Sequence, residues 1–336
     1  MPPRYVQGGR RRRRRAFPRL LAALALAAAA YAAYAVLLRD EPPPRPAPTA
    51  KAPPAALQDS PTAPLAGGGT APSPLAVRLA DPSDNVNLHF KHPPRSGLMF
   101  DIDTGKVLWR RDPTRVLPIA SLTKMMTALI VAERVPPGSK VLITKEALRY
   151  QGSGVGLLPR GKRIGVNTML HGLLLPSGND AAIALAQRAA GGSVRRFVRY
   201  MNQEAHEMGL ACSRFSTPSG FLDQGNHSCA GDLAALARAV LRRPRLARIV
   251  GRRQAILPFP IKGGKLYLYN NNPLLRQGYR GTTGVKTGYT DAAGRCLVAT
   301  VRRGPIKLGV VLLHSPDPGG QAMKLLDRGF RASRAG

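Results

Sequence analysis

The sequence has few aromatic residues, few cysteines and few histidines, and each shortage narrows what the chain can be. Aromatic residues make up 5% of 336 residues, so aliphatic side chains must fill most of the core of a chain that is 44% hydrophobic. Three cysteines are too few for the disulfide framework of a small secreted domain. Six dispersed histidines form no His-Glu-x-x-His pattern, which argues against a metallopeptidase. We therefore expect no metal and no other cofactor.

Acidic residues are also scarce, since 18 of them face 51 basic residues and give a formal charge of +33. Such a charge favours contact with nucleic acid, an anionic membrane surface or anionic wall polymers. It is equally typical of an arginine-rich composition spread over solvated faces. Aromatic residues do not alternate with basic ones, and zinc-finger spacing is absent, so we expect no nucleic-acid partner.

The first 84 residues predict a membrane anchor followed by a linker. Residues 1–19 contain six consecutive arginines and predict a basic cytoplasmic tail. Residues 20–38 carry no charge and would span about 28 Å as a helix, which suits a transmembrane signal anchor in the cytoplasmic membrane. Cleavage near Ala33-Tyr34-Ala35 would instead give a secreted protein. Residues 39–84, rich in proline and alanine, predict an extended linker outside that membrane.

Residues 85–332 have a globular pattern and predict one domain. Strands are expected at 97–103, from 107, and near 283–289, 296–303 and 307–314. Helices are expected at 121–134, 166–175, 179–190, 194–208, 231–242 and 321–331. Strands at both ends with helices between them predict an α+β fold, in which the N- and C-terminal strands form one antiparallel sheet covered by helices.

Two of the three cysteines are placed so that they could form a disulfide. Cys212 and Cys229 flank a loop-like stretch with proline and glycine, and a disulfide between them is one of two open alternatives. Cys296 begins a predicted core strand, where a buried thiol is expected.

Ser121 and Lys124 are the first candidate catalytic pair. They are three residues apart at the predicted start of a helix, so their side chains share one face. A serine hydroxyl needs a base to become a nucleophile, and a desolvated lysine with a lowered pKa can be that base. The competing interpretation is a helix cap followed by a surface lysine.

Ser177 and Asn179 form the second candidate, in a predicted loop between two apolar helices. Ser177 could relay a proton, and Asn179 could orient substrate amides or Lys124. Helix capping by either residue is the competing interpretation.

Lys286, Thr287 and Gly288 form the third candidate, on a predicted strand. Lys286 and Thr287 could bind a free carboxylate through charge-assisted hydrogen bonds. Gly288 lets an extended peptide approach the strand closely and pair with its edge. An ordinary strand with a surface lysine is the competing interpretation.

Together the three motifs are far more specific than each alone, because they occur in order, with serines 56 residues apart and Lys286 109 residues further on. This triplet resembles that of the D-alanyl-D-alanine carboxypeptidases, the low-molecular-mass penicillin-binding proteins of the serine β-lactamase-like superfamily. The likeness covers about 85–330. It extends to the segments Leu174–Ala182, Thr217–Gly220 and Ala293–Thr300.

The resemblance implies a β-lactamase/transpeptidase-like fold, acyl transfer on peptidoglycan stem peptides, and β-lactam antibiotics as covalent inhibitors. By analogy, Ser121 attacks the carbonyl between the last two D-alanines, Lys124 accepts its proton, and Ser177 with Lys286 protonates the departing D-alanine. The backbone N–H groups of Ser121 and Tyr289 would form the oxyanion hole. The implied substrate-binding residues are Asn179, Lys286, Thr287, Gly288, Tyr289 and Thr290.

Four functions compete within this resemblance. The sequence favours a carboxypeptidase. A transpeptidase or endopeptidase uses the same groups, and a non-catalytic penicillin-binding wall protein would keep the fold. A class A β-lactamase is disfavoured, because no Glu-x-x-Leu-Asn pattern lies between Ser177 and Lys286.

Overall fold

The computed structural model describes residues 73–81, 86–221, 225–261 and 263–335. The predicted tail at 1–19, the anchor at 20–38 and most of the linker at 39–84 lie outside these residues and stay predictions. No helix in the described ranges combines the length and the apolar character needed to cross a bilayer. The described end of the linker contacts the folded domain, since the Arg78 N–H donates to the Gly105 carbonyl at 2.9 Å.

The N- and C-terminal strands meet in one five-stranded antiparallel sheet of order β2-β1-β11-β10-β9, which confirms the predicted α+β fold. Its strands are β1 (Ser96–Asp101), β2 (Val107–Arg111), β9 (Thr282–Thr290), β10 (Gly294–Arg303) and β11 (Ile306–Leu313). In the β1–β11 register Phe100 faces Gly309, where an added Cβ would lie 2.4 Å from the ring. This glycine therefore lets a large aromatic ring enter the core.

Three two-stranded ribbons accompany the main sheet. β3 (Leu117–Pro118) pairs with β6 (His227–Ser228), β4 (Lys140–Leu142) with β5 (Arg163–Gly165), and β7 (Gln254–Pro258) with β8 (Lys265–Tyr269). All three pairs are antiparallel, and none of them was predicted from the sequence.

Eight helices complete the described domain. They are α1 (Lys124–Arg134), α2 (Val166–Leu174), α3 (Asn179–Ala189), α4 (Val194–Glu207), α5 (Ala230–Arg242), α6 (Pro244–Val250), α7 (Pro273–Arg276) and α8 (Pro318–Ala335). Four of the six predicted helices agree with these bounds to within one residue at each end. The first begins at Lys124 instead of Ser121, and the last extends three residues before and four residues beyond the predicted 321–331.

Helices cover both faces of the sheet, and alternation along the strands divides the core in two. On β11, Val311 and Leu313 pack with the helices that lie between β3 and β9. Their neighbours Val310 and Leu312 pack with the apolar face of α8, including Leu325. Both faces of the strand are thus buried, which explains its nearly continuous run of apolar residues.

Cys212 and Cys229 form a disulfide with 5.5 Å between their Cα atoms, so the crosslink left open by the sequence is present. In the chain-entropy model, closing a loop of this size stabilises the fold by about 3 kcal/mol. Cys296 lies buried on β10 outside this bond, as expected.

Candidate active site

Ser121 lies in a 3₁₀ turn (Ala120–Thr123) between β3 and α1. Ala120 has a φ of 47°, a left-handed value that typically costs about 1–3 kcal/mol for a residue with a side chain. Neighbouring backbone is packed closely around this turn, because a Cβ on Gly220 would lie 2.1 Å from the Ala120 carbonyl oxygen. Ser121 is half-buried, so its hydroxyl is held in place and still accessible.

Gly288 of β9 fits against the same turn. An added Cβ would lie 2.9 Å from the Ile119 carbonyl oxygen and 3.2 Å from the Ser121 nitrogen. From the sequence, this glycine was predicted to let the substrate peptide approach the strand. The structure gives it a second reason, since the strand can only come this close to Ser121 without a side chain here.

Lys124 is fully buried, and its Nζ reaches three oxygens. It contacts Ser121 Oγ at 2.7 Å, Asn179 Oδ1 at 2.6 Å and the Ser219 carbonyl at 2.7 Å. A neutral amine has two protons and one lone pair. The Asn179 and Ser219 oxygens only accept, so they take the two protons. The lone pair then points at the Ser121 hydroxyl, which is the geometry of a general base.

Burial is the main reason that the pKa of Lys124 lies well below its ordinary value, and the positive charge of Lys286 lowers it further. The Asp180 carboxyl acts in the opposite direction and is the weaker influence. The competing interpretation of Lys124 as a surface residue is therefore wrong.

Asn179 begins α3, yet no side chain caps this helix, whose N-cap residue is Gly178. The Asn179 side chain instead bridges two parts of the site, because Oδ1 accepts from Lys124 and Nδ2 donates to the Gln151 carbonyl at 2.6 Å. The capping interpretation is wrong for this residue.

Ser177 is buried, with a φ of 71°, and its hydroxyl has no hydrogen-bond partner among the described residues. Buried hydroxyls are usually paired, so one left open beside Asn179 is suited to a bound ligand. The loop around it is fixed by Asn271, whose N–H donates to the Leu175 carbonyl and whose Nδ2 donates to the Pro176 carbonyl, both at 3.1 Å.

Lys286 is 1% exposed, and its Nζ donates to the Thr287 carbonyl at 2.8 Å. Burial lowers the pKa of Lys286 to about 7. The interpretation as a surface lysine on an ordinary strand is wrong here too. Two amines of ordinary pKa above 10 are thus buried, and Lys286 is close enough to Lys124 for its charge to lower the pKa of that amine.

The other predicted residues follow the strand alternation of β9. Gly288 and Thr290 are buried on the side of Lys286, Thr287 is half-buried, and Tyr289 is exposed with its hydroxyl 3.0 Å from the Asp291 carboxylate. Thr290 Oγ1 accepts from the Ala293 N–H at 3.1 Å and so supports the turn to β10. Within the described sheet β9 is an edge strand that pairs only with β10. Its other side is therefore free to pair with an extended peptide.

Three further contributions to the site were missed in the sequence. The Ser219 carbonyl accepts from Lys124, and the preceding Pro218 carbonyl accepts from Thr127 Oγ1 at 2.7 Å. Asp180 accepts from the N–H groups of Val155 and Gly156 and thereby holds the loop that borders Asn179. Backbone carbonyls carry no side-chain pattern, so only the Thr217–Gly220 motif marked this region beforehand.

One group of possible metal-ligand atoms occurs in the described part of the chain, formed by Cys212, Cys229 and Asp232 within 4.8 Å of one another. Both sulfurs are engaged in the disulfide and are unsuited to hold an ion. His89 and His92 are both exposed and belong to no such group of described residues.

Comparison with known proteins identifies the family. A family model described as D-alanyl-D-alanine carboxypeptidase matches residues 85–317. The chain belongs to the D-alanyl-D-alanine carboxypeptidase family. It is 34% identical to D-alanyl-D-alanine carboxypeptidase DacF of Bacillus subtilis, over 71% of this chain and 62% of that protein, so it spans less than two thirds of that relative.

Other members of the family are matched more completely. D-alanyl-D-alanine carboxypeptidase DacB2 of Mycobacterium tuberculosis is 34% identical, over 71% of this chain and 82% of its own length. A D-alanyl-D-alanine endopeptidase of Pseudomonas aeruginosa is 36% identical, over 64% of this chain and 70% of its own.

Solved structures show the same fold. The Streptomyces K15 DD-transpeptidase aligns with a TM-score of 0.68 at 29% identity, over 73% of this chain and 100% of that one. A D-alanyl-D-alanine carboxypeptidase of Mycobacterium tuberculosis aligns with a TM-score of 0.68 at 32% identity, over 75% of this chain and 96% of that one. The β-lactamase/transpeptidase-like architecture expected from the sequence is therefore confirmed.

Proposed function

We propose that this chain is a serine-type D-Ala-D-Ala carboxypeptidase that removes the terminal D-alanine from peptidoglycan pentapeptides. The observation that carries the proposal is the 2.7 Å contact between Lys124 Nζ and Ser121 Oγ, with the other two Nζ directions occupied by oxygens that only accept. Membership of the D-alanyl-D-alanine carboxypeptidase family supports peptides that end in D-Ala-D-Ala as the class of substrate.

In the first step Ser121 Oγ attacks the carbonyl carbon between the two D-alanines, and its proton passes to Lys124 Nζ. The carbon–nitrogen bond then breaks, which leaves an ester on Ser121. The proton that Lys124 accepted passes through Ser177, whose hydroxyl is unpaired among the described residues, to the departing amine of D-alanine, with Lys286 as the second cationic group, so Lys124 is neutral again.

In the second step water attacks the ester carbonyl, and neutral Lys124 again accepts the proton. The carbon–oxygen bond to Ser121 breaks as Lys124 gives the proton to Ser121 Oγ. The shortened peptide leaves as a carboxylate, and its acid proton goes to solvent. The same buried amine therefore serves both halves of the cycle, and no other base lies as close to Ser121 Oγ among the described residues.

Substrate binding uses the open edge of β9. Lys286 and Thr287 hold the terminal carboxylate, with Thr290 beside them. Gly288 and Tyr289 offer backbone to the peptide, and Asn179 contacts its amide groups. Two observations support this mode of binding. Lys286 is a buried cationic group, and Gly288 lies against the turn that carries Ser121.

A transpeptidase or endopeptidase activity is the second candidate. It is favoured by relatives and structures that are named for these reactions and share the fold. In a transpeptidase, an amine replaces water in the attack on the ester. In an endopeptidase, water remains the acceptor and the substrate is a cross-linked peptide. A non-catalytic penicillin-binding protein is the third, and the intact contact between Lys124 and Ser121 argues against it.

We also propose that the domain works on the outer side of the cytoplasmic membrane, held by residues 20–38 or released after cleavage. The Cys212–Cys229 disulfide supports an oxidising compartment. Stem peptides and β-lactams are the proposed partners there.

The test uses the full chain and a pentapeptide that ends in D-Ala-D-Ala. We expect release of D-alanine and a penicillin adduct on Ser121, seen by intact mass. Ser121→Ala should lose both, whereas the control Ser333→Ala, in the last turn of α8, should keep both. Adding a D-amino acid as acceptor shows whether hydrolysis or transfer dominates. Full penicillin labelling of Ser121→Ala would contradict the proposal.

A further inference from the structure

A cavity of about 510 Å³ lies at the end of the sheet that is remote from Ser121. We call it the far-end cavity. It is formed where β9 begins, β10 ends and β11 begins, under the adjoining ends of α5 and α6. Thr283 of β9 lines it, and Gly288 of the same strand touches the turn that carries Ser121. Five residues of strand separate them by about 17 Å, so the cavity is distinct from the candidate active site.

The lining of the far-end cavity is strongly cationic. Its charged residues are Arg238, Arg242, Arg248, Arg302, Lys307 and, as the one acid, Asp103. Lys307 Nζ forms an ion pair with the Asp103 carboxylate at 3.1 Å, so the charge of the one acidic residue in the lining is already neutralised. Arg238 is 4% exposed, and its guanidinium donates to four backbone carbonyls, those of Leu75, Ala76, Ile102 and Asp103. These two basic residues are thus already engaged.

The remaining arginines, Arg242, Arg248 and Arg302, are exposed. Within the described ranges no carboxylate lies within 4 Å of any of the three. Arg248 and Arg302 use their Nε groups on the carbonyls of Pro244 and Gly304. Burial and the neighbouring Arg242 charge lower the pKa of Arg238, which shows the mutual repulsion in this cluster.

These three like charges line one concavity that also has aliphatic walls. The walls are made by Ile102, Leu241, Ala247 and Val301. Small-molecule sites typically have volumes of about 300–1,000 Å³ and combine an apolar lining with a few charged groups. Guanidinium groups present paired donors that match phosphate oxygens. A phosphate would relieve the repulsion, and the aliphatic wall has room for the carbon part of a ligand.

We propose that the far-end cavity binds a phosphate group through Arg242, Arg248 and Arg302. The phosphate belongs either to a small soluble compound or to the headgroup of an anionic lipid. This site is independent of the proposed peptidase function, since its residues are separate from Ser121, Lys124, Ser177 and Lys286.

The experiment measures binding by calorimetry with the full chain in a nonionic detergent at about 0.15 M salt. Two probes are used: inorganic pyrophosphate, and dihexanoyl phosphatidylglycerol below its micelle concentration. We expect saturable binding with one site per chain for at least one probe. Tighter binding of pyrophosphate would indicate a soluble ligand, and tighter binding of the glycerolipid would indicate a headgroup.

The decisive comparison is between two triple variants of equal charge change. Arg242→Gln/Arg248→Gln/Arg302→Gln should weaken binding at least about tenfold. The control Arg195→Gln/Arg196→Gln/Arg199→Gln removes three arginines from α4, all of them exposed, and should bind within about twofold of the natural chain. Equal losses in both variants would assign the binding to diffuse charge and overturn the proposal, as would no saturable binding of either probe.

Two further measurements distinguish a loss of the phosphate site from a loss of the folded structure. The thermal unfolding midpoint of each variant is recorded. Arg242→Lys/Arg248→Lys/Arg302→Lys keeps the charge without the planar guanidinium and should bind with intermediate affinity. Affinity of this lysine variant equal to that of the natural chain would overturn the role of the guanidinium groups.

Discussion

The two ends of β9 use basic residues in opposite ways. At the end near Gly288, Lys124 and Lys286 are buried, and burial lowers the pKa of both amines. At the end near Thr283, three of the four arginines of the far-end cavity are exposed, and within the described residues these three have no carboxylate partner.

The difference shows that position, more than charge, decides the chemistry of a basic residue. A buried lysine can lose its proton near neutral pH and act as a base. An arginine keeps its charge in either environment and is suited to attract anions. A net charge of +33 therefore says little about function until the burial of each group is known.

The largest expected effect comes from removing the buried base. Lys124→Met keeps a long side chain in the core and removes the amine that contacts Ser121 Oγ. Because general base catalysis typically contributes about 10²–10⁴-fold, we expect kcat/KM for D-alanine release to fall by about 10³-fold. The measurement is single-turnover acylation by a fluorescent penicillin together with steady-state release.

The matched control is Lys145→Met, which removes an exposed lysine and should leave both rates within about twofold. A Lys124→Met enzyme as active as this control would show that burial does not make Lys124 a base, and the contrast between the two ends of β9 would fail.

The next effect concerns pH. The pKa of Lys286 is about 7, so its ammonium is charged below that pH and neutral above it. If the charge binds the substrate carboxylate, kcat/KM should decline as pH rises above about 7, by up to about tenfold per unit. Lys286→Arg keeps the charge at high pH, so the decline should disappear even where the absolute rate is lower.

The profile is measured for both enzymes between about pH 6 and pH 9, with the thermal midpoint checked at each end. If kcat/KM of the natural enzyme and of Lys286→Arg declined at the same pH, the decline would belong to a group other than Lys286.

The smallest effect tests the packing of β9 against the nucleophile. Gly288→Ala places a Cβ 2.9 Å from the Ile119 carbonyl oxygen, so the strand or the turn must move by a few tenths of an ångström. We expect about a tenfold loss in acylation rate with a modest loss of stability. Gly138→Ala is the control, since its Cβ would meet nothing within 4 Å. Unchanged acylation in Gly288→Ala would show that the close approach has no catalytic consequence.

Much of the fold was predictable because its elements carry strong local patterns. The strands of the main sheet and the bounds of four of the six predicted helices followed from apolar periodicity and from glycine and proline at their ends. The β7–β8 hairpin was missed, although Lys265–Tyr269 alternates, because its partner strand follows a run of arginines and a short helix that mask the pattern. Ser121 was predicted to lie in the helix, whereas it lies in a 3₁₀ turn that begins at the left-handed Ala120, and α1 begins only at Lys124.

The sequence by itself determined the three motifs, their order and their elements, since short-range periodicity and residue chemistry are local properties. Only the tertiary structure decided that Lys124 meets Asn179 and the Ser219 carbonyl, residues 55 and 95 positions away. It also decided that the pKa values of two lysines are lowered and that the hydroxyl of Ser177 stays unpaired among described groups. Burial and long-range contact depend on how distant segments pack, and no local pattern encodes them.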